Sequence, residues 1–311
     1  MQALHINGNT LTLDDFREVV YERRSVLLAP DARLAVSRAR AVVEDLLEHD
    51  RVAYAVNTGV GKLADVRISP QDIVALQVKL LRSHAVGVGE PLPQDVVRAM
   101  ILLRANSLAK GHSGVRDVVI DKLCELLNRG VHPVVPSQGS VGASGDLAPL
   151  SHLALVLIGE GAADFEGRQL SAAEALRRAG IEPLVLQAKE TISLINGTQA
   201  MLAVGLIAVL RTQILADSAD VIAGLTVDAQ KGTHVAFDER IHKVRPHPGQ
   251  IMVADHLRLM LADSEIRESH RDCGKVQDAY SLRCIPQVHG AVRDTLTHCR
   301  GVFEIEMNSA V

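Results

Sequence analysis

The sequence predicts a mainly α-helical protein, in which an N-terminal part mixed with short strands is followed by the beginning of a long helical bundle. Apolar residues recur at helical spacing in most segments. The longest apolar run, from Ala200 to Leu210, stops at Arg211, which is too short to span a bilayer and is typical of a buried helix. Aromatic residues make up only 2%, so the core must consist of Leu, Val, Ile and Ala, which favours closely packed helices.

The length and composition of the chain limit the classes of protein to which it can belong. The 311 residues suffice for one large domain or two ordinary ones, and 47% apolar with 23% charged residues is typical of a globular protein. A net charge of −4 gives no electrostatic reason to expect nucleic-acid binding. The four cysteines lack Cys-x-x-Cys spacing, and the first residues lack a basic start followed by an apolar core. We therefore expect a cytoplasmic protein that binds neither nucleic acid nor membrane.

The first 130 residues predict one hairpin, one mobile loop and four helices. Asn7-Gly8 is a turn dipeptide between two alternating runs, and Ser69-Pro70-x-Asp72 combines a helix cap with a proline at the first helical position. Gly130 occupies the position that usually ends a helix. The expected bounds are 4–13 for the hairpin, 51–65 for the loop, and 31–48, 69–84, 95–109 and 115–129 for the helices.

The rest of the chain predicts a second hairpin and a series of longer helices. Glu166-Gly167 is the expected turn, and Ser171-x-x-Glu174 is a capping box for a short helix that Gly180 closes. The expected bounds are 147–158, 191–231, 249–264 and from 287 for the helices, with a kink near Gly205 or Gly224, and 183–189 and 272–286 for linker and loop. We expect two domains, 1–190 and 191–311, the second an incomplete bundle because the chain ends without a helix stop signal.

Residues 139–151 carry the most specific chemical signal. Their centre, Ala143-Ser144-Gly145, consists of small residues, so the Gly145 nitrogen can approach the Ala143 carbonyl carbon without interference from a side chain. Loss of water from Ser144 then leaves a dehydroalanine in a five-membered ring. A turn or linker is the ordinary interpretation of such a segment. A phosphate-binding loop does not fit, because there is no Gly-Lys-Ser/Thr ending and no Gly-x-Gly-x-x-Gly pattern.

This segment resembles the loop of the aromatic amino acid ammonia-lyases that bears 4-methylideneimidazole-5-one (MIO), an electrophile which that family forms from its own backbone. Three further segments match in the expected order: 54–63 resembles the family's tyrosine loop, 194–198 its asparagine motif and 277–284 its Gln-Tyr-Arg motif. Val60 and Ala279 depart from the residues that are commoner there, Phe and Pro, but neither change removes a reacting group.

The resemblance implies a role for each matched residue. Tyr54 would be the base that removes the β-proton, and the ring at Ser144 would bond the substrate amine. Arg283 would bind the carboxylate, since a guanidinium can bind it through two hydrogen bonds. The remaining matches are Asn196 beside the amine, Gln277 as support for the ring and Tyr280 in the pocket. From the residues alone, Tyr54 is also compatible with a half-buried structural tyrosine, Arg283 with a surface residue, and Asn196 with a cap. Asp146 is equally compatible with a cap on the helix at Leu147.

Substrate selectivity is expected to depend on His84. Residues 83–91 and 238–250 resemble the histidine-specific branch of the family, and a histidine can hydrogen-bond an imidazole nitrogen. The prediction is therefore elimination of ammonia from L-histidine to give trans-urocanate. Three alternatives stay open: tyrosine or phenylalanine as substrate, an aminomutase, and an inactive or interaction form of the scaffold. His84 is also compatible with a structural histidine.

The sequence also leads to expectations about oligomeric state and metal binding. The resemblance covers about the first three-fifths of a family chain, and family members are homotetramers whose sites combine several subunits. We expect a homo-oligomer, because long apolar helix faces of an incomplete bundle must be covered. A metal site is not expected, since His-Glu-x-x-His is absent and His242 with His247 has no cysteine or carboxylate at ligand spacing.

Overall fold

The structure is a computed structural model that describes residues 1–142 and 144–310. It divides into two compact units, the first formed by residues 1–205 together with the segment from Glu304 onward, and the second by residues 206–303. The boundary lies inside a helix, at Gly205. The domain boundary expected between residues 190 and 191 stays a prediction.

The first unit contains eight complete helices among its described residues, together with seven short strands. The helices are α1 Leu13–Tyr21, α2 Pro30–Glu48, α3 Ile73–His84, α4 Gln94–Ala109, α5 Asp117–Arg129, α6 Leu147–Leu157, α7 Ala172–Ala179 and α8 Glu190–Ile195. The strands are β1 Leu4–Ile6, β2 Val26–Leu28, β3 Val88–Pro91, β4 His132–Pro133, β5 Pro136–Gln138, β6 Ala162–Phe165 and β7 Arg168–Ser171. The expectation of a mainly helical protein with a mixed N-terminal part is confirmed.

Helix α4 is the centre of the first unit. Every residue from Val96 to Ala109 is buried, including Arg98, Arg104 and Asn106. Helices α1 and α5 pack against it. Because α4 has no solvent-facing side, its polar residues must find partners inside the protein.

The predicted N-terminal hairpin is wrong. Strand β1 pairs in parallel with β2, with Leu4 opposite Val26. The chain does turn at Asn7, whose Oδ1 accepts from the backbone N–H groups of Asn9 and Thr10. It then enters α1 instead of a return strand, because Thr12 and Asp15 form a capping box that starts the helix.

The second hairpin and the local helix ends agree with the sequence. Strands β6 and β7 pair antiparallel around Glu166-Gly167. The Ser171 side chain accepts from the Glu174 N–H at the start of α7. Gly130 and Gly180 close their helices in the left-handed conformation, with φ of 72° and 67°. The predicted start of α3 at Ser69 is wrong, because the helix begins at Ile73. Ser69 Oγ donates to the Asp72 carboxylate at 2.6 Å, and the Asp72 side chain caps no backbone group.

The long helical stretch predicted for 191–231 is interrupted. Helix α8 ends at Ile195, and α9 runs from Gln199 to Ala229 without a break at Gly205 or Gly224. The kink predicted near one of those glycines stays a prediction, and the helical stretch is broken at residues 196–198. The stretch 190–229 is apolar and long enough to cross a membrane, but 61% of its most apolar window is buried inside the protein, as in an ordinary core helix.

The second unit contains the remaining helices. They are α10 Glu239–Lys243, α11 Pro248–Met260, α12 Glu265–Ser269, α13 Tyr280–Arg283 and α14 Ile285–Met307, which continues into the first unit. Val227, Phe237, Val253, Leu257, Leu261 and Ile285 form its core.

A buried carboxylate links three helices of the second unit. Asp220 on α9 accepts hydrogen bonds from His256 Nδ1 on α11 at 2.9 Å and from His289 Nδ1 on α14 at 2.8 Å. Arg293 Nη2, also on α14, donates to it at 2.6 Å. Burial opposes ionisation of this carboxyl, but the three hydrogen bonds outweigh it and lower the pKa of Asp220.

The segment from Glu304 onward belongs to the first unit, and it forms hydrogen bonds with Leu11, Asn106 and Thr198. Asn106 Nδ2 donates to the Met307 carbonyl at 2.9 Å, and the Asn308 side chain exchanges hydrogen bonds with both backbone groups of Leu11. Thr198 Oγ1 donates to Glu306 Oε1 at 2.6 Å. This unit is therefore built from two pieces of chain that are far apart in sequence.

Candidate active site

The small-residue loop between β5 and α6 is in backbone contact with the break between α8 and α9. Gly145 has a φ of 120°, and a Cβ placed on it would lie 2.6 Å from both the nitrogen and the oxygen of Gly197. Asp146 N–H donates to the Gly197 carbonyl at 2.7 Å. Ser144 is exposed, and Ala143, the first residue of the predicted ring, lies outside the described residues. Residues 145 and 197 thus tolerate no side chain where the two segments meet.

Asp146 holds the loop through its side chain. It is 0% exposed, and Oδ1 accepts from Ser140 Oγ at 2.5 Å. Oδ2 accepts from the N–H groups of Ala200 and Met201, each at 2.9 Å. The suggested cap on the helix at Leu147 is wrong: Asp146 precedes α6 but does not cap it, because its carboxylate is bound to the first turn of α9, whose N–H groups lack intrahelical acceptors.

Asn196 lies at the break, one residue before Gly197. Its Oδ1 atom is buried and has no hydrogen-bond partner. An amide oxygen in that state costs free energy unless a donor is supplied to it. Gly197 itself is required by space, because a Cβ there would lie 2.1 Å from Arg104 Nη1 and 2.2 Å from Gln199 Oε1.

Tyr54 lies in the loop predicted for 51–65, which contains only a short 3₁₀ turn, Gly61–Leu63. The side chain is 61% exposed, and its hydroxyl oxygen accepts from the Gly61 N–H at 3.2 Å. Asn57 is buried beneath it, accepting from Ala53 N–H at 2.8 Å and donating to the Arg51 carbonyl at 2.9 Å. The hydroxyl is thus presented at the surface of a loop that internal hydrogen bonds hold in shape.

His84 is the last residue of α3, and its Nδ1 lies 2.9 Å from the Leu80 carbonyl. The segment that follows it is joined to the small-residue loop. Strand β3 pairs with β5, and a Cβ on Gly139 would lie 3.0 Å from the Gly87 Cα. Gly87 N–H donates to His152 Nε2 at 3.1 Å; burial lowers the pKa of His152, which keeps that nitrogen an acceptor. The structure therefore brings the His84 segment, Gly145 and Asn196 into one region.

The other three predicted residues belong to the second unit. Gln277 is exposed and lines a cavity of about 140 Å³. Tyr280 is 71% exposed, and the guanidinium carbon of Arg283 lies 5.1 Å from the centre of its ring, a cation–π contact. Between them Asp278 is buried and accepts from the Thr233 N–H at 2.6 Å. The Arg283 guanidinium thus lies over the Tyr280 ring.

The residues of the first unit fit a ring built from Ala143-Ser144-Gly145. Gly145 is in a conformation that other residues rarely adopt, and its nitrogen belongs to a glycine that no side chain shields. The unpartnered Asn196 oxygen offers an acceptor in the same region. Among the residues that the structure describes, no group of three or more His, Cys, Asp or Glu side chains is arranged to hold a metal ion.

Comparison with known proteins decides the family. A family model described as aromatic amino acid lyase matches residues 11–311. This chain belongs to the aromatic amino acid lyase family. The match contains all four of the segments on which the sequence resemblance depends, so that prediction is confirmed.

Individual members of the lyase family extend the match. A histidine ammonia-lyase of Koribacter versatilis is 70% identical over 311 residues, which are all of this chain and 60% of that protein. The crystal structure of histidine ammonia-lyase from Trypanosoma cruzi has a TM-score of 0.89 at 38% identity, covering 100% of this chain and 57% of the other. Tyrosine aminomutase from Streptomyces globisporus has a TM-score of 0.92 at 39% identity, covering 99% and 62%.

These matches confirm the predicted fold, that of ammonia-lyases and aminomutases. The chain spans about 60% of the length of the curated lyases it matches. Sequence reasoning missed three features of the site: the hydrogen bonds from Asp146 to α9, the buried Arg104 and the half-buried His152. Of the three, Arg104 left a signal in the sequence, as an arginine that interrupts the apolar segment 99–105.

Proposed function

We propose that this chain belongs to a histidine ammonia-lyase, a carbon–nitrogen lyase that converts L-histidine into trans-urocanate and ammonia. The observation that carries the proposal is the backbone contact between Gly145 and Gly197, with the unpartnered Asn196 oxygen beside it. It fits a tripeptide that cyclises next to the group that receives the substrate amine. The 70% identity to a protein named histidine ammonia-lyase supports the choice of substrate.

The proposed prosthetic group is MIO, formed from Ala143, Ser144 and Gly145 without an external cofactor. The Gly145 nitrogen bonds the Ala143 carbonyl carbon, and the oxygen of that carbonyl leaves as water. Ser144 loses its hydroxyl and its Cα proton as a second water, which leaves an exocyclic methylidene carbon. When formed, the ring supplies an electrophilic carbon for the substrate amine, so that the nitrogen becomes a better leaving group.

The chain's own residues bind and deprotonate the substrate. The phenol of Tyr54, exposed on its loop, is the proposed base for the β-proton. The Asn196 oxygen accepts a hydrogen bond from the substrate amine, which removes its desolvation penalty. His84 hydrogen-bonds the imidazole.

The remaining roles in this proposal are assigned to residues of the Gln-Tyr-Arg motif. Arg283 binds the substrate carboxylate, and the ring of Tyr280 orients its guanidinium. The proposed role of Gln277 is to support the prosthetic ring. These assignments depend on the sequence match of residues 277–284 to the family motif.

A homo-oligomer in the cytoplasm is part of the proposal. Helix α9 exposes large apolar side chains, among them Ile214, Leu215, Ile222 and Leu225, and association with further copies would cover such a face. All four cysteines are free, as expected in a reducing compartment. The proposal includes neither nucleic acid nor membrane among the partners.

Intact-mass measurement tests the proposed prosthetic group. The purified protein should be lighter than its sequence by two waters, whereas Ser144→Ala should show no such deficit. Ser218→Ala, on the exposed surface of α9, is the matched control and should keep it. A wild-type mass equal to that of the unmodified sequence would overturn the proposal.

A substrate panel tests selectivity on the assembled protein. Histidine, tyrosine and phenylalanine are offered separately, and each acrylate product is followed by its absorbance. Urocanate from histidine is the expected product. Product from tyrosine or phenylalanine alone would favour the second candidate activity, and a β-amino acid product would indicate an aminomutase, as in the structurally similar tyrosine aminomutase.

A further inference from the structure

The break between α8 and α9 is bounded by a buried cation on one side and a buried anion on the other. Arg104 of α4 donates to carbonyl groups at the end of α8, and Asp146 accepts from N–H groups at the start of α9. Each charge faces the helix end of opposite partial charge. Asn196 and Gly197 lie between them.

Arg104 is 0% exposed and makes three hydrogen bonds. Its Nη2 donates to the Ser193 carbonyl at 2.5 Å, and its Nη1 donates to the Asn196 carbonyl at 3.1 Å and to Gln199 Oε1 at 2.7 Å. All three acceptors are neutral oxygens, so no carboxylate in this set compensates for the burial of the charge. Burial lowers the pKa of Arg104 to about 10, which still leaves it protonated near neutral pH.

The guanidinium touches the residue against which the small-residue loop rests. Its Nη1 lies so close to Gly197 that a Cβ there would be 2.1 Å away. The backbone of the same glycine also contacts Gly145 and accepts from Asp146 N–H. A shift of Arg104 would therefore move Asn196 and Gly197, and through Gly197 the nitrogen of Gly145.

We propose that Arg104 is a positioning residue for formation of the electrophile, because it fixes the Asn196-Gly197 backbone against which the Ser144-Gly145 backbone must close. The inference rests on the proposed function, since it requires that the ring forms. Its basis is the chain of contacts from Arg104 through Gly197 to Gly145.

Arg98 provides a matched control on the same helix. It is also buried, and it donates to the carbonyls of Val19, Val20 and Leu127. Burial and nearby Arg23 lower its pKa to about 10, as for Arg104. Its partners belong to α1, to the end of α5 and to β4, where His132 Nε2 lies 3.2 Å from its Nη1. Its removal therefore disturbs the core without touching residues 196–197.

The experiment compares Arg104→Met with Arg98→Met as full-length chains. The fraction of molecules lacking two waters is read from intact mass at a fixed time after purification, and the folded fraction from circular dichroism. Arg104→Met should reduce the dehydrated fraction about tenfold or more among folded molecules, because small displacements of reacting groups are costly. Arg98→Met should keep the wild-type fraction. Arg104→Lys, which retains the charge but not the forked geometry, should give an intermediate value.

Each outcome decides the matter. Equal dehydrated fractions in the two methionine variants, whether both high or both low, would overturn the inference. If Arg104→Met does not fold, the dehydrated fractions of Arg104→Lys and Arg98→Lys are compared instead, since lysine retains the positive charge. A wild-type chain without the deficit would instead refute the proposed function, so the two failures are distinguishable.

Discussion

Gly145 and Gly197 are in backbone contact across 52 residues of sequence, so close that a Cβ on Gly145 would lie 2.6 Å from the Gly197 nitrogen. The contact joins the loop that carries the proposed electrophile to the break in the long helical stretch. It makes the geometry of the candidate site depend on small residues at two positions.

Gly197→Ala should destabilise the protein, because the new Cβ would lie 2.1 Å from Arg104 Nη1 and 2.2 Å from Gln199 Oε1. Overpacking of this kind costs roughly 1–3 kcal/mol of unfolding free energy. Urea denaturation measures it. Gly301→Ala in α14 is the control, since no atom lies within 4 Å of its Cβ, and alanine there should be neutral or stabilising. Equal stability of Gly197→Ala and wild type would contradict the close approach.

Asp146→Ala should lower the unfolding free energy by about 1–3 kcal/mol, because the N–H groups of Ala200, which is buried, and of Met201 lose their acceptor. Thermal and urea unfolding measure the loss. Asp72→Ala removes an exposed aspartate that caps no backbone group, and it should change stability by less than about 0.5 kcal/mol. Equal stability of the two variants would contradict the role of the Asp146 carboxylate as acceptor for the first turn of α9.

Stability should fall between about pH 6.5 and pH 4 because of His132. Burial, with the nearby Arg98 and Arg23, lowers its pKa to about 4. Below pH 6.5 His132 is therefore protonated in the unfolded chain but still neutral in the folded protein. The contribution of His132 to the free energy of unfolding is complete above pH 6.5 and is lost as the pH falls towards 4. The loss is about 3 kcal/mol at most.

His132→Gln is the variant that tests this pH dependence. Its unfolding free energy should vary less than that of wild type over the same range, as measured by urea denaturation at a series of pH values. Replacement of the exposed His5 by Gln should leave the wild-type profile unchanged. Parallel profiles for His132→Gln and wild type would exclude the proposed cause.

Asp220→Asn should destabilise the second unit by about 3 kcal/mol or more, because a buried charged acceptor of three hydrogen bonds is neutralised. Asp217 pairs with the same Arg293, but its side chain is 67% exposed against 2% for Asp220. Asp217→Asn should therefore cost less than about 1 kcal/mol. Unfolding followed by circular dichroism separates the two, and a similar cost for both would mean that the buried network contributes little.

Tyr54→Phe should abolish most of the proposed ammonia-lyase activity and leave prosthetic-group formation intact. Loss of a general base costs about 10²–10⁴-fold in rate, while the ring is formed by residues 143–145. Urocanate formation and intact mass measure the two effects. Tyr21→Phe, another partly exposed tyrosine, is the control and should retain full activity. A fully active Tyr54→Phe protein would exclude the assignment.

Local signals in the sequence predicted local structure well. Gly130 and Gly180 end their helices as expected, and Ser171 caps α7, because each of these effects involves residues within one turn of one another. The parallel pairing of β1 with β2 was missed because it depends on the helix between them, which a turn dipeptide does not reveal.

The sequence suggested candidate residues for the site, but it did not reveal the contacts between them. Asn196 and Gly145 were identified from motif resemblance, but their joint packing depends on Gly197 and on Arg104, which is 92 residues away from Asn196. A side-chain cap on the next helix was one of two equal interpretations of Asp146, whereas its carboxylate binds α9, 54 residues later. Such long-range partners follow from tertiary packing, and helical periodicity carries no information about them.

The return of residues 304–310 to the first unit has a consequence for the order of folding during synthesis. Thr198, at the break between α8 and α9, is paired with Glu306, and Asn106 in the central helix is paired with Met307. While the ribosome is still producing residues 206–303, these partners do not yet exist. Residues 1–205 therefore stay incompletely folded until residues 304–310 have been made, and chaperone protection would matter most during that interval.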